Sequence, residues 1–301
     1  GIYYIDRCVK RGMNVDDFAR RFSFFFDVTL SIVEEVAKFR AGRRVWAKLL
    51  KERFGAKDPR SMRMKFHAQT SGRELTRQQI KNNIARVAFQ ALAAVLGGAQ
   101  SLHTDAYDEA LSSPSREAAR VALMTQNIIA EETGLADVID PLGGSYYMET
   151  LTNEMEEKIW EYIHKIDALG GMLEAVKKGF VQSEIERSSL EYQRAVDSKE
   201  RVVVGLNDYV IPEEEDARPV IARPNPQAVD RHIQRIKTLR VTRDQAKARA
   251  AIDDLKKSAE DTDANLFEAV IRAVKADLTH GEIVSALQEV YGVGVPMATI
   301  G

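Results

Sequence analysis

Apolar residues change period several times along this chain, and each change marks an element. The run "RFSFFF" (21–26) is short, apolar and aromatic, and reads as a buried strand. Behind it Ile32, Val33, Val36, Val45, Leu49 and Leu50 recur at helical spacing, in a segment closed by Gly55. The stretch "MRMKFHAQ" (62–69) alternates: Met62, Met64, Phe66 and Ala68 share one face, while Arg63, Lys65, His67 and Gln69 share the other. Thr76 followed by Gln79 predicts a capping box that opens a helix through Leu96, stopped at Gly97-Gly98. A third strand, "AQSLHT" (99–104), precedes a helix over 115–134. After "DPLGGSYYMETLT" (140–152) long helices dominate, at 151–168 and 171–196, with a β-like "RVVVGLNDYV" at 201–210. An acidic, proline-rich loop at 211–226 then leads to basic helices over 227–260 and two shorter ones.

Three successive strand–helix units predict a parallel α/β architecture. In barrels of this kind the reactive side chains sit where strands end and loops begin. His67 and Gln69 fall at such an end, and so do Gln100, Ser101 and His103. Three strands cannot close a barrel, so further strands are expected upstream. Gly1 is not methionine and runs straight into helix-like sequence, which fits a chain cut from something longer.

Composition narrows the classes of function. With 45% hydrophobic and 29% charged residues the chain is an ordinary globular mixture. A formal net charge of -2 gives no electrostatic case for a nucleic-acid surface. No run approaches the ~20 apolar residues of a membrane helix. The single cysteine, Cys8, excludes an intrachain disulfide and points to a reducing cytoplasm.

No obvious nucleophile, metal cage or phosphate loop is present. A strand face ending in His67-x-Gln69 either carries satisfied polar side chains or binds a ligand, and a lumen strand is normally filled with branched apolar residues. Gln100, Ser101, His103, Asp105, Asp108 and Glu109 crowd the next strand end. They read as a solvated loop with acids at a helix start, or as a ligand site; His103 beside two carboxylates is weak evidence for a metal. "DRHIQR" (230–235) begins like a cobalamin-ligand motif, but Arg235 stands where that motif needs glycine. "GGSYY" (143–147) lacks the lysine of a phosphate loop.

Taken together, "RFSFFF", "FHAQTSGRELT", "NNIARVAFQALAAVLGGAQSLHT", "YDEAL" and "DPLGGSYYMETLT" resemble the large subunit of the methylmalonyl-CoA mutase family over essentially the whole chain. The resemblance implies the C-terminal part of a (β/α)8 TIM barrel, strands six to eight within 1–150, followed by a mostly helical extension at 151–301 that contacts other subunits. It implies an isomerase, an intramolecular transferase, that rearranges the carbon skeleton of an acyl-CoA by a radical route with adenosylcobalamin. A lumen that threads the pantetheine arm would explain the polar strand face. Carried over residue by residue, Arg21, Ser23, Phe25, His67, Gln100 and Ser101 match acyl-CoA-binding positions. Gln69, Gly72, Glu109 and Ser112 match the cofactor-facing side, with Glu109 accepting from ribose hydroxyls; Asp105 joins them.

Three positions depart from the family pattern. Asp105 stands at a usual asparagine, Ser113 at a usual leucine or isoleucine, and Arg73 at a tryptophan of many methylmalonyl-specific members. The resemblance places the catalytic histidine and the acyl-selecting arginine and tyrosine upstream of Gly1, and the cobalamin-binding domain or small subunit outside this chain. Methylmalonyl-CoA to succinyl-CoA is the expected reaction. Isobutyryl-CoA or 2-hydroxyisobutyryl-CoA mutase, and a non-catalytic interaction module, are the alternatives. An oligomer of large subunits is expected, with the fragment inactive alone.

Overall fold

A computed structural model describes residues 1–212 and 223–294, and their contacts divide them between residues 222 and 223 into two compact units. In the first unit, α1 (Ile2–Lys10) and α2 (Val15–Phe18) precede β1 (Phe24–Val28), α3 (Ile32–Lys48), β2 (Phe66–Thr70), α4 (Asn82–Leu96) and β3 (Ser101–His103). Four helices follow: α5 (Arg116–Glu132), α6 (Tyr146–Ala168), α7 (Met172–Lys177) and α8 (Phe180–Asp197). The strands form one parallel sheet in the order β1-β2-β3, so the fold is α/β with strand–helix–strand crossovers.

The alternation read from the sequence sets the layers. Phe24, Phe26 and Val28 of β1, Phe66 and Ala68 of β2 and Leu102 of β3 face a core built with Phe39, Val45, Trp46 and Leu49 behind β1 and Ala93 and Ala94 of α4. Phe39 stacks on Phe66 with ring centroids 4.6 Å apart, and Phe26 meets both rings edge-on. Helix α6 packs along α3 through charge as well as apolar contact. Buried Arg40 pairs with Asp140 and Glu149 and donates to Thr152, while Lys48 pairs with Glu156.

Several elements differ from expectation. The first strand spans 24–28 rather than 21–26, because Ala19–Arg21 closes a 3-10 turn and pairing begins only where Phe24 donates to Lys65 O. The second is paired from Phe66, not from Met62. The helix expected at Thr76 starts six residues later, at Asn82, and the capping box is absent. The Asn83 side chain takes both the amide and the carbonyl of Thr76, and Gln79 sits at φ 45°. Gly179, at φ 73°, breaks the helix expected over 171–196 into α7 and α8. The β-like 201–210 makes one isolated bridge, Val204 with Asp208. There the Asn207 amide bonds Val203 N, Val196 O and Arg201 O and curls the chain back. Of the acidic, proline-rich loop expected at 211–226, residues 213–222 lie outside the described residues.

The second unit contains α9 (Pro226–Thr242), α10 (Gln245–Glu260), α11 (Leu266–Lys275) and α12 (His280–Tyr291). Its core is small-residue packing of Ala248, Leu255, Ala269, Ala273, Leu278 and Ile283. Thr279 and Glu282 form a capping box at the start of α12, and Arg243 binds Glu282 with two nitrogens. Among the described residues no helix is long and apolar enough to cross a membrane.

Candidate functional site

Helices cover one face of the sheet, and the polar side chains gather on the other. Because side chains alternate, residues set between the core positions line that second face, and parallel register brings them into rows across the strands. The first row is Phe25, His67 and Ser101. Phe25 remains 62% exposed, its ring 5.1 Å from the His67 ring. His67 Nδ1 lies 2.8 Å from Ser101 Oγ, which fixes the imidazole plane across β2 and β3. The second row is Asp27, Gln69 and His103. Ser23 precedes the first row in the same alternation, so the track from Ser23 to Asp27 runs about 13 Å at roughly 3.3 Å per residue. Aromatic, imidazole, hydroxyl and carboxamide groups along such a track can hold a long, flexible, amide-rich ligand.

The track ends in acids. Past β3 the chain turns at Thr104 and buries Asp105, which is 1% exposed. Gln69 Nε2 donates to Asp105 Oδ1 at 3.1 Å, His103 Nε2 lies 3.5 Å from the same oxygen, and the Asp105 amide donates to Thr70 Oγ1. Asp105 Oδ2 is buried without a hydrogen-bond partner among the described residues. Glu109, on the exposed side of the same turn, approaches Gly72: a Cβ on that glycine would lie 3.2 Å from Glu109 Oε1 and 3.8 Å from Asp105 Oδ2. Partial burial of the carboxyl first, and then the Asp105 charge, push Glu109 up to about 7. Burial likewise raises Asp105.

Of the residues singled out from sequence, Phe25, His67 and Ser101 come together in one row, and Gln69, Gly72, Asp105 and Glu109 gather at the acid end. Arg21 and Ser23 are exposed just before β1, at the opposite end of the track. Gln100 stands apart from the rows. Its carboxamide accepts from Phe66 N and donates to Gly98 O, tying the start of β2 to the turn before β3. Ser112 closes the turn after Glu109, its hydroxyl on Ser113 O and its amide on Asp108 O. Arg73 stacks on Tyr192 of α8, which Arg201 also meets. Among the described residues no group of three or more His, Cys, Asp or Glu could hold a metal ion.

Sequence reasoning missed several residues that shape the site. Asp27 accepts from Ser71 Oγ at 2.6 Å and joins the ends of β1 and β2. Buried Glu74 accepts from Leu30 N and from Gln90 Nε2, and Gln90 also donates to Ser71 O. Asn83, fully buried, bonds Thr76 on one side and Tyr107 O on the other. The alternation past Phe25 pointed to Asp27; the others act through partners distant in sequence.

Comparison with known proteins decides the family. The methylmalonyl-CoA mutase family model matches residues 1–293. The chain belongs to the methylmalonyl-CoA mutase family. It is 46% identical over 291 residues to the 2-hydroxyisobutanoyl-CoA mutase large subunit of Aquincola tertiaricarbonis, a match covering 97% of this chain and 52% of that protein. It is 44% identical to the methylmalonyl-CoA mutase of Cereibacter sphaeroides, with 97% of this chain and 41% of that protein covered. The mitochondrial methylmalonyl-CoA mutase of Homo sapiens is 42% identical, with 97% and 39% covered. The chain therefore spans about half, or less, of the length of these mutases.

Proposed function

We propose that this chain supplies the acyl-CoA track and the cofactor-facing acids of an adenosylcobalamin-dependent acyl-CoA mutase, converting methylmalonyl-CoA to succinyl-CoA. The observation that carries the reading is the polar face of the sheet, two aligned rows leading to a buried acid pair, in a chain of this family. The three strands are read as strands six to eight of an eight-stranded barrel whose lumen is that face. The edges at β1 and β3 have no further strand among the described residues, and paired edges are what a barrel provides. The domain reading follows: barrel to residue 150, subunit-contacting helices beyond it. A cobalamin-binding domain or small subunit, a second large subunit and a cytoplasmic setting complete the proposal.

The acid end fits the cofactor. Asp105 Oδ2 is a buried acceptor with no donor among the described residues, Glu109 is a second carboxyl beside it, and Gly72 offers no Cβ to block approach. Gln69, Gly72, Asp105, Glu109 and Ser112 would hold its adenosyl group. When bound, the cofactor supplies the radical that starts the rearrangement. The chain's own residues bind and orient. Arg21 and Ser23 take the phosphate end of coenzyme A, Phe25 and Ser101 flank the pantetheine arm, and Gln100 holds the strand starts in register. His67, its ring set by Ser101, presents a ring nitrogen to the amides or thioester. No nucleophile is needed, because these groups position the substrate and exclude water.

A second reading has support of its own. The 46% identical relative is a 2-hydroxyisobutanoyl-CoA mutase large subunit, and Arg73 departs from the tryptophan expected of methylmalonyl-specific members. Turnover separates the two. The full-length enzyme with its cobalamin-binding partner and adenosylcobalamin is offered methylmalonyl-CoA, isobutyryl-CoA and 2-hydroxyisobutyryl-CoA, and products are resolved by chromatography. Succinyl-CoA from the first supports the proposal; turnover of only the others moves the assignment to a sister mutase. Turnover of none sinks the reading.

A further inference from the structure

Asp105 and Glu109 bring two carboxyl groups to the same small space above Gly72. Asp105 is 1% exposed, its Oδ1 takes the Gln69 amide and the edge of His103, and its Oδ2 has no donor among the described residues. Glu109 Oε1 converges with that oxygen on the space above Gly72. Carboxylates accept hydrogen bonds and cannot donate them, so the approach becomes attractive only when one of the two carries a proton.

We propose that Asp105 is a positioning residue that makes Glu109 hold one proton jointly with it at neutral pH, so that this end of the site presents a donor and an acceptor to a ligand hydroxyl. This rests on the reading that the acid end takes the hydroxyl-bearing part of the cofactor. The surrounding groups leave the pair dependent on that proton. From β2 comes neutral Gln69, from β3 comes His103 at 3.5 Å, and from the same turn comes Asp108, which adds negative charge and is itself held by Ser115 N. From β1, Asp27 is taken by Ser71. On the neighbouring turn, Arg73 is stacked against Tyr192 and Glu74 is bound by Leu30 N and Gln90. Among the described residues no Lys or Arg forms an ion pair with either acid. The Glu109 carboxyl, pushed up to about 7 by burial and then by Asp105, agrees with this geometry. An asparagine at 105 would remove the neighbouring charge and offer Glu109 a donor in its place.

The test uses the full-length enzyme without cofactor, carrying glutamate labelled with 13C at the side-chain carboxyl, with the Glu109 signal identified by its loss in Glu109→Gln. In the wild type that signal should titrate near 7, and in Asp105→Asn it should move down, with burial still holding it above the ordinary 4.5. A wild-type midpoint near 4.5, or one that Asp105→Asn leaves in place, overturns the shared proton. Adenosylcobalamin titrations over about pH 5 to 9 supply the second readout, because linkage limits one proton to about a tenfold change in affinity per pH unit. Affinity should weaken as pH rises through about 7 in the wild type, and in Asp105→Asn the weakening should move to lower pH. A shared proton with affinity flat in both proteins would refute the cofactor-facing reading itself, so the two failures are distinguishable.

Discussion

Replacing Asn83 with alanine should loosen both turns that form the acid end. Asn83 is 0% exposed and its side chain makes four hydrogen bonds. Oδ1 accepts from Thr76 N at 3.1 Å and Arg86 Nη1 at 2.7 Å; Nδ2 donates to Thr76 O at 2.8 Å and Tyr107 O at 2.9 Å. It therefore ties the segment after Gly72 to the turn that carries Asp105 and Glu109. Each lost bond is worth about 1 kcal/mol net, and orphaned buried backbone groups cost more, so the expected local loss is about 3–5 kcal/mol. Arg86 keeps Thr76 Oγ1 and Val204 O, which holds the figure at the lower end. At about 1.4 kcal/mol per factor of ten, 3 kcal/mol is a hundredfold or more. Hydrogen exchange of the full-length protein should show that acceleration in peptides spanning 74–84 and 103–112. The neighbouring Asn82, whose side-chain amide donates to Gln79 Oε1 at 3.0 Å, supplies the control, and Asn82→Ala should change exchange less than about tenfold. Equal effects from the two variants, or a change below tenfold in Asn83→Ala, would refute this account of how the turns are held.

Phe66→Ala empties the centre of the aromatic stack under β2 and should cost about 3–5 kcal/mol, read as a lower unfolding midpoint or loss of soluble protein. Gly72→Ala should leave the fold intact, because the nearest atom to the new methyl, at 3.2 Å, is the far end of the flexible Glu109 side chain, yet weaken adenosylcobalamin binding about tenfold by displacing that group. In the second unit, the Arg243 bonds hold Glu282 down at about 2 against an ordinary 4.5. A depressed carboxyl adds stability above about 4.5 that is lost as pH falls toward about 2, so exchange protection of 279–291 should fade in that window in the wild type and be weak at neutral pH in Arg243→Ala.

The three strands and the alternation of β2 were legible because apolar period is a local property. Phe66 and Ala68 went to the core and His67 and Gln69 to the other face, as the spacing required. Boundaries were less so. An unbroken aromatic run gives no sign of where pairing begins, and β1 starts three residues late because its partner starts at Phe66. The helix expected from Thr76 failed for a non-local reason, a side chain seven residues on that claims the Thr76 backbone. The same limit hid Ser71 and Asn83, whose importance lies in bonds to Asp27 at the end of β1 and to the Thr76 and Tyr107 backbone. Family resemblance brought out Gly72 and Glu109, but the convergence of Glu109 and Asp105 over a glycine arises only when the turns after β2 and β3 are folded together.

The central claim is that the second face of the sheet carries coenzyme A. Calorimetric titration of coenzyme A into the full-length protein tests it most directly, comparing the wild type with the double variant Phe25→Ala/Ser101→Ala. Both residues lie on that face and outside the core, so the fold should survive. The account predicts a Kd raised at least about tenfold, near 1.4 kcal/mol, by loss of the row. An unchanged Kd in a folded variant would mean that coenzyme A binds elsewhere, and the track would lose its function.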